Sequence, residues 1–230
     1  METCEPLSYK CLPQQFKRHY GGKNILKAQK PWSCWSSLQS LQGPLPIPPS
    51  GIYFLSMSRN NLSGVLPSLI CNISSLNVLN LSHNNLSDMI PSCFGKLSDN
   101  LFVLDLRNNT FHGTIPETFA KNNNLRSLNL NGNQVEGPLP QSMVNCRHLE
   151  VHDLGNNKIN DTFPHWLGTL PNLRVLVLRS NRFHGPIENP STKVSFTNLR
   201  IIDLAHNEFH GLLPEKYFNY LNAMMNANAD

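Results

Sequence analysis

Long apolar segments are missing from this chain of 230 residues. No stretch approaches the roughly 18 consecutive apolar residues that mark a membrane-spanning helix. The start, METCEPLSYKCLPQQFKRHY, also lacks the continuous apolar core of a secretory signal. We therefore expect neither a signal peptide nor a transmembrane helix in the chain as given, and no membrane insertion by the chain itself.

A basic surface on the main part of the chain is missing as well. Residues 1–31 hold six Lys/Arg against two Glu and account for the whole net charge of +4, while the other residues hold 13 basic and 13 acidic groups. Nucleic-acid binding needs basic residues gathered on a folded surface, because phosphate neutralisation supplies most of the affinity. We expect no nucleic-acid partner.

Motifs of catalysis and metal binding are absent too. The sequence contains no Gly-rich phosphate loop, no Gly-x-Ser-x-Gly elbow and no pair of zinc ligands. The cysteines lack the short paired spacings of a zinc site. They are Cys4, Cys11, Cys34, Cys71, Cys93 and Cys146. We predict that the protein is not an enzyme and needs no cofactor or metal.

What the chain does contain is an internal repeat. Aligned on one recurrent Asn, the template LxxLxLxxNxLxGxxP returns in steps of 24, 25, 24, 24, 24 and 26 residues. The aligned positions are Asn60, Asn84, Asn109, Asn133, Asn157, Asn181 and Asn207. Seven copies of one template predict a coil that is stacked on itself.

Each part of the template predicts a piece of local structure. In LxL the leucines face one side of a short strand, and the residue between them faces the other. The Asn amide both donates and accepts, so a column of such residues can satisfy backbone groups where the chain leaves the strand. The Gly permits an unusual backbone conformation, and the Pro ends strand pairing and begins the return segment.

The fold class that follows is an α/β-type repeat solenoid with a parallel concave β-sheet and short 3-10 or irregular convex segments. Residues 1–40 are a basic N-terminal segment that contains a damaged repeat and is otherwise unassigned. Residues 41–51 form a half repeat that no LxL strand precedes. Residues 52–219 form seven repeats, and 220–230 begin a non-repeat segment. Strands about 4.8 Å apart give a concave surface roughly 30 Å long, which suits a protein or peptide.

The wording of the repeats resembles the extracellular leucine-rich repeats of plant receptor-like proteins of the Cf disease-resistance type. The phrases that carry this resemblance are NNLSGVLPSLICNISSLNVLNLSHNNLS, LRNNTFHGTIPETF, VHDLGNNKINDTFPHWLGTLP and LRIIDLAHNEFHGLLPEKYF. The similarity runs from about Leu41 to Met225. In that family the residues after KYF lead into a non-repeat island, so the chain resembles an internal or truncated piece.

The resemblance implies plant-type leucine-rich repeat coils in a secreted, glycosylated ectodomain on the outer side of the plasma membrane. Such proteins are held by one membrane helix, lack a kinase, and pass pathogen-derived or peptide signals to partner receptor kinases. The leading interpretation is therefore a ligand-recognition ectodomain fragment in plant defence signalling, which binds a protein or peptide on its concave face.

Two alternatives stay open. One is a soluble leucine-rich repeat inhibitor of secreted cell-wall hydrolases, which uses the same face. The other is a non-functional truncated gene product. A downstream membrane helix favours the receptor, and a cysteine-rich cap favours the inhibitor.

The predicted ligand-binding residues lie between the two strand leucines and just beyond the strand, on the exposed face of a rigid scaffold. They are Ser56, Ser58, Asn80, Ser82, Asp105, Arg107, Asn129, Asn131, Asp153, Val177, Arg179 and Asp203.

Sequons predict glycosylation at five positions. They are Asn61, Asn72, Asn85, Asn108 and Asn160. All of these except Asn108 are expected outside the strands. A sixth sequon, at Asn80, lies on the predicted concave face, where a glycan would obstruct binding.

Two kinds of cysteine are expected. Cys71 and Cys93 lie on return segments of adjacent coils, so a disulfide between them is a hypothesis that the distance between their Cα atoms decides. Cys146 fills a slot that is apolar in other coils and is predicted to be buried.

The histidines also divide into two kinds. His112, His184 and His210 each precede a template Gly and are expected at the surface, because two turn histidines fall far short of a closed metal site. His152 replaces the first leucine of an LxL pair. A core His without hydrogen bonds costs stability, so we expect His152→Leu to stabilise the fold.

Overall fold

The computed structural model describes residues 11–13, 32–35, 41–96, 100–187 and 196–213. Strands in these ranges form a main sheet with the order β1-β2-β4-β6-β8-β10-β12-β14-β16. Its members are β1 (Cys11–Pro13), β2 (Trp32–Trp35), β4 (Ile52–Ser56), β6 (Val78–Asn80), β8 (Val103–Asp105), β10 (Ser127–Asn129), β12 (Val151–Asp153), β14 (Val175–Val177) and β16 (Ile201–Asp203). All neighbours pair in parallel except β1, which is antiparallel to β2.

The strand β2 lies in the segment to which the sequence analysis assigned a damaged repeat. The half repeat at 41–51 showed no LxL strand before it, yet β2 pairs in parallel with β4 and places Cys34 opposite Leu55. A cysteine therefore occupies the register of the first strand leucine. The sequence analysis placed a damaged repeat here but identified no strand in it, because the template requires a leucine at this position.

A second set of strands lies where the chain leaves the template Asn. Six of these strands form a parallel sheet with the order β13-β11-β9-β7-β5-β3. They are β3 (Gln42–Gly43), β5 (Asn61–Val65), β7 (Asn85–Met89), β9 (Thr110–Gly113), β11 (Gln134–Gly137) and β13 (Lys158–Ile159), while β15 (His184–Pro186) pairs with β17 (Glu208–His210). We predicted only a turn here, because two to five paired residues carry little periodic signal.

The return segments of the coils contain short 3-10 helices. Their bounds are Ser68–Asn72, Ser92–Gly95, Gln141–Asn145 and His165–Thr169. A Pro precedes each one, as the template predicts, and each turns an apolar residue such as Ile70 or Met143 into the core. No helix in the described ranges is long and apolar enough to cross a membrane.

The template Asn residues form the hydrogen-bonded column that the sequence predicts. Asn133 shows the arrangement, since its Oδ1 accepts from the Phe111 N–H at 3.1 Å in the preceding coil. Its Nδ2 donates to the carbonyl oxygens of Leu130 at 2.9 Å and Leu106 at 3.1 Å. The same bonds recur around Asn84, Asn109, Asn157, Asn181 and Asn207. The column therefore fastens successive coils and is structural.

The core lies between the main sheet and the return segments. The strand leucines point into it, and both Leu104 and Leu106 are buried. Phe111 and Phe183 fill it where the chain leaves the Asn turn, with no exposed surface. Because each coil covers the apolar side of its neighbour, the stack forms one continuous core.

Candidate functional site: the concave face

The outward residues of the main sheet form aligned columns. We call the residues between the strand leucines the central column, and strand pairing aligns all of them across the sheet. The central column consists of Ser56, Asn80, Asp105, Asn129, Asp153, Val177 and Asp203. All seven side chains are half-buried.

The residues two positions further on form the exit column. It consists of Ser58, Ser82, Arg107, Asn131, Gly155, Arg179 and Ala205. Ser82 must be removed from the predicted ligand-binding residues, because it is only 1% exposed. Its hydroxyl donates to Asn80 Oδ1 at 2.7 Å, and this bond turns the side chain into the sheet.

The polar residues of the central column have a structural task that the sequence analysis did not identify. Asp105 Oδ1 accepts the backbone N–H of Arg107 at 3.2 Å, and Asp153 Oδ1 accepts that of Gly155 at 3.1 Å. The same bond to the residue two positions on recurs at Asn80, Asn129 and Asp203. Asp and Asn are thus used here because their side chains cap the strand end.

Ion pairs neutralise most of the charge in the two columns. Arg107 Nε lies 3.4 Å from Asp105 Oδ2, and Arg179 Nη1 lies 3.3 Å from Asp203 Oδ2. Asp153 instead accepts from Asn131 Nδ2 at 2.9 Å. Partial burial raises the pKa of Asp105, while the Arg107 backbone N–H and its guanidinium oppose that rise.

Sequence reasoning missed a further row at the edge where the chain enters each strand. We call it the entry row: Tyr53, Asn77, Phe102, Arg126, Glu150, Arg174 and Arg200. Each backbone N–H in this row after Tyr53 donates to the carbonyl of the row member one coil earlier, at 2.7 to 2.8 Å. Aligning the residue that follows the first template leucine would have revealed the row, since three of its seven positions carry Arg.

The predicted glycosylation positions are all exposed. Asn61 and Asn85, expected outside the strands, are instead the first residues of β5 and β7. Their side chains still face solvent, because the alternation turns the following leucine inward. Asn108 Nδ2 lies 3.2 Å from His83 Nδ1, at the turn next to the exit column.

The cysteines follow the expected division. Cys71 and Cys93, in the 3-10 segments of adjacent coils, are joined by a disulfide with Cα atoms 5.7 Å apart. Cys146 is a free and fully buried thiol, which confirms its prediction as a core residue. Burial raises the pKa of Cys146 to about 11, although Asn123 Nδ2, 3.2 Å from its Sγ, opposes the rise.

The histidines also divide as expected. His112, His184 and His210 are exposed, and no cluster of three metal-ligating side chains occurs in the described ranges. His152 is fully buried between Leu128 and Leu176 of the adjacent strands. Neither of its ring nitrogens has a hydrogen-bond partner within the described part of the chain. Burial lowers the pKa of His152 to about 4, and a polar contact with the Leu128 backbone opposes this only in part.

This repeat sequence and this geometry are similar to those of known leucine-rich repeat proteins. The Leucine Rich Repeat family profile matches residues 51–73, 75–97, 100–122, 124–146 and 198–219. The HAESA receptor kinase ectodomain of Arabidopsis, solved with a peptide hormone, is 30% identical with a TM-score of 0.70, over 80% of this chain and 31% of that one. The chain is a leucine-rich repeat solenoid. The ectodomain of the Arabidopsis thaliana receptor kinase GASSHO1/SCHENGEN3 has the same TM-score of 0.70 at 31% identity, over 80% of this chain and 22% of that chain.

This leucine-rich repeat chain is also similar to curated receptor-like proteins. Receptor-like protein 35 of Arabidopsis thaliana is 48% identical over 103 residues, and Receptor-like protein 53 is 47% identical over 116 residues. The matched regions are 45% and 50% of this chain. They span only 11% and 12% of the length of those two relatives. The chain is thus similar to a part of plant receptor-like leucine-rich repeat ectodomains.

Proposed function

We propose that the chain is the ligand-recognition part of a receptor-like ectodomain and binds a protein or peptide on its concave face. The observation that carries this proposal is the alignment of outward side chains from seven consecutive parallel strands. The Asn column and the continuous core hold these strands rigidly, so little conformational entropy is lost when a ligand binds.

The similar structures support a peptide as the ligand class. HAESA has been solved in complex with the peptide hormone IDA and the co-receptor SERK1, and GASSHO1/SCHENGEN3 in complex with CASPARIAN STRIP INTEGRITY FACTOR 2. By analogy, we propose that the present chain acts on the extracellular side of the plasma membrane with a receptor kinase partner. We also propose a role in plant defence signalling, on the resemblance of the repeat wording to receptor-like proteins of the Cf disease-resistance type.

Glycosylation at the exposed sequons fits this proposal. Asn61, Asn72, Asn85, Asn108 and Asn160 are all accessible. Among the sequons, only Asn80 stands in the central column, where its side chain is held by Ser82. Glycans at the other positions leave the centre of the concave face uncovered.

A peptide selection tests the proposed function. A display library of random dodecamers is selected on the chain, and recovered peptides are assayed on two double variants. Val175→Arg/Val177→Arg places two cations on the outward face of β14. Val65→Arg/Val144→Arg makes the same change at two exposed positions away from the main sheet.

The two variants separate a concave site from general charge effects. We expect recovered peptides to lose at least tenfold in affinity on the β14 variant and to keep it on the control. Both variants must show the circular dichroism spectrum of the parent chain. Peptides that bind the β14 variant as well as the parent would contradict binding at the concave face.

A further inference from the structure

Asp153 is the one aspartate of the central column that takes part in no ion pair within the described ranges. The other two aspartates each have an arginine of the exit column as partner. Asp105 is paired with Arg107 at 3.4 Å, and Asp203 is paired with Arg179 at 3.3 Å. The two columns therefore leave one negative charge without a cation, and this charge belongs to Asp153.

The capping bond at the strand end does not account for a charged residue at this position. Asp153 Oδ1 accepts the Gly155 N–H at 3.1 Å. Asn80 and Asn129 make the same bond with a neutral amide. The second bond to Asp153, from Asn131 Nδ2 at 2.9 Å, also ends on Oδ1. An Asn side chain could accept both bonds, so neither of them requires the negative charge.

The coil of Asp153 cannot supply the missing cation from its own exit position. That position is Gly155, whereas the chain carries Arg107 two coils earlier. A Cβ at Gly155 would lie 2.7 Å from Asn131 Nδ2 and 3.3 Å from Val177 Cγ1. Side chains of both neighbouring coils thus fill the space that a longer residue would need.

The outward surface beside Asp153 is apolar on one side. Strand pairing places Val177 next to Asp153 and Val175 next to Val151. Because residues two apart in a strand share a face, all four lie on the outward side of β12 and β14, and all are half-buried. On the other side, Asn129 is the neighbour of Asp153. The carboxylate therefore borders a small surface made of three valines.

A basic side chain matches this combination of a carboxylate and valines. Lys and Arg cover apolar surface with their aliphatic stems while the charged end stays with a polar partner. Asp153 Oδ1 already accepts two N–H groups, so Oδ2 is the oxygen that can receive a donor from a ligand. Partial burial lowers the effective dielectric constant and strengthens the attraction between the two charges.

We infer that Asp153 and the three valines Val151, Val175 and Val177 form a subsite for a basic side chain of the ligand. The stem of this Arg or Lys lies on the valines, and its charged end contacts Asp153 Oδ2. This inference rests on the proposed function, because it names a specificity-determining residue within the same concave face. A neutral ligand side chain would leave the carboxylate unpaired, so the subsite selects for positive charge.

Parallel peptide selections test this inference. The same library of random dodecamers is selected on the parent chain, on Asp153→Asn and on Glu136→Gln. Asp153→Asn removes the charge but keeps the Oδ1 acceptor of both bonds. Glu136→Gln changes the net charge equally at an exposed position of β11, outside the main sheet. We expect one peptide position at which Arg or Lys dominates after selection on the parent and on Glu136→Gln, but not after selection on Asp153→Asn.

A recovered peptide then measures the contact itself. Its dominant basic residue is replaced by a neutral analogue, citrulline for Arg or acetyl-lysine for Lys, and affinities are measured by fluorescence anisotropy. On the parent and on Glu136→Gln, the replacement should weaken binding about fivefold, as expected for a partly screened charge pair. On Asp153→Asn it should have no effect, because both changes remove the same contact.

The remaining outcomes separate this inference from the proposed function. Peptides that lose affinity on Val175→Arg/Val177→Arg but carry no dominant basic residue overturn the inference and leave the proposed function standing. The inference is also wrong if the neutral analogue weakens binding equally on the parent and on Asp153→Asn. Equal loss of the basic preference on Asp153→Asn and Glu136→Gln would mean attraction by net charge alone and would overturn it as well. Peptides that bind the β14 variant as well as the parent contradict both.

Discussion

Asp88 has a φ of +79° at the repeat position where Gly113, one coil later, has a φ of +74°. This left-handed region favours glycine and is strained for a residue with a Cβ. The Asp88 carboxylate accepts its neighbour's backbone N–H, that of Met89, at 2.8 Å. That bond offsets part of the strain.

We expect Asp88→Gly to raise the free energy of unfolding by about 1 kcal/mol, because relief of the strain exceeds the lost local bond. Urea unfolding followed by circular dichroism measures the change. Asp161→Gly is the matched control at the equivalent position of another coil. Asp161 does not have a positive φ, and its two oxygens accept the N–H groups of Thr162 at 2.7 Å and Leu139 at 2.9 Å. The control variant should therefore be destabilised; a gain in both variants would contradict the strain argument.

Replacing a residue of the Asn column should destabilise the stack strongly. Asn133→Ala removes one accepted and two strong donated hydrogen bonds and leaves their backbone partners unsatisfied, at a cost of about 2–4 kcal/mol. Asn133→Asp keeps the acceptor but loses the donors, so it should also destabilise. The exposed Asn122→Ala should change the free energy of unfolding by less than about 0.5 kcal/mol. A small effect at Asn133 would show that the column does not fasten the coils.

His152→Leu should stabilise the fold and reduce its sensitivity to acid. The folded-state pKa of about 4 lies below the ordinary value of 6.5, so protonation favours the unfolded chain. The parent should therefore lose stability as the pH falls from about 6.5 to about 4, by on the order of 3 kcal/mol. The stability difference between His152→Leu and the parent should widen over this window, because all other groups titrate alike in both. A difference that stays constant with pH would contradict an unpartnered neutral His152.

The disulfide between Cys71 and Cys93 should raise the free energy of unfolding by about 3 kcal/mol, because it closes a loop across 22 residues in the unfolded chain. Peptide mapping by mass spectrometry without reductant should recover the two cysteines as one linked fragment. Cys71→Ser/Cys93→Ser should unfold at lower denaturant concentration. Two free thiols in the oxidised, folded protein would show the pairing to be wrong.

In the folded protein Cys146 should resist alkylation, because it is buried with a raised pKa.

The parts of the fold that were predicted depend on residue types that recur at fixed repeat positions and have the same structural role in each coil. The repeat spacing from Asn60 to Asn207 predicted the strands. The hydrogen-bonding chemistry of the Asn amide predicted the Asn column that joins successive coils. The strand β2 was not identified within the damaged repeat, because Cys34 stands in the leucine register. Left-handed turn residues such as Arg59, His83 and Ser180 were also missed, because stacking imposes that conformation whatever the side chain.

The candidate site was predicted less completely than the fold. Strand alternation identified the central column but not the capping bonds of Asp105 and Asp153. These bonds are a structural reason for Asp at this repeat position, and this reason does not involve a ligand. The burial of Ser82 depends on a contact with Asn80, and the entry row depends on side chains 24 to 26 residues apart. Such contacts between coils have no signal within a single repeat.

Position-resolved photo-crosslinking tests the central claim of concave binding most directly. A benzophenone amino acid is placed at Val177, in the central column, or at Val144, which is 39% exposed on a return segment. A labelled dodecamer from the peptide selection is then irradiated with each protein. Binding on the concave face predicts a crosslink from position 177 that excess unlabelled peptide removes, and none from position 144. A competable crosslink from position 144 alone would show that the ligand binds elsewhere on the solenoid.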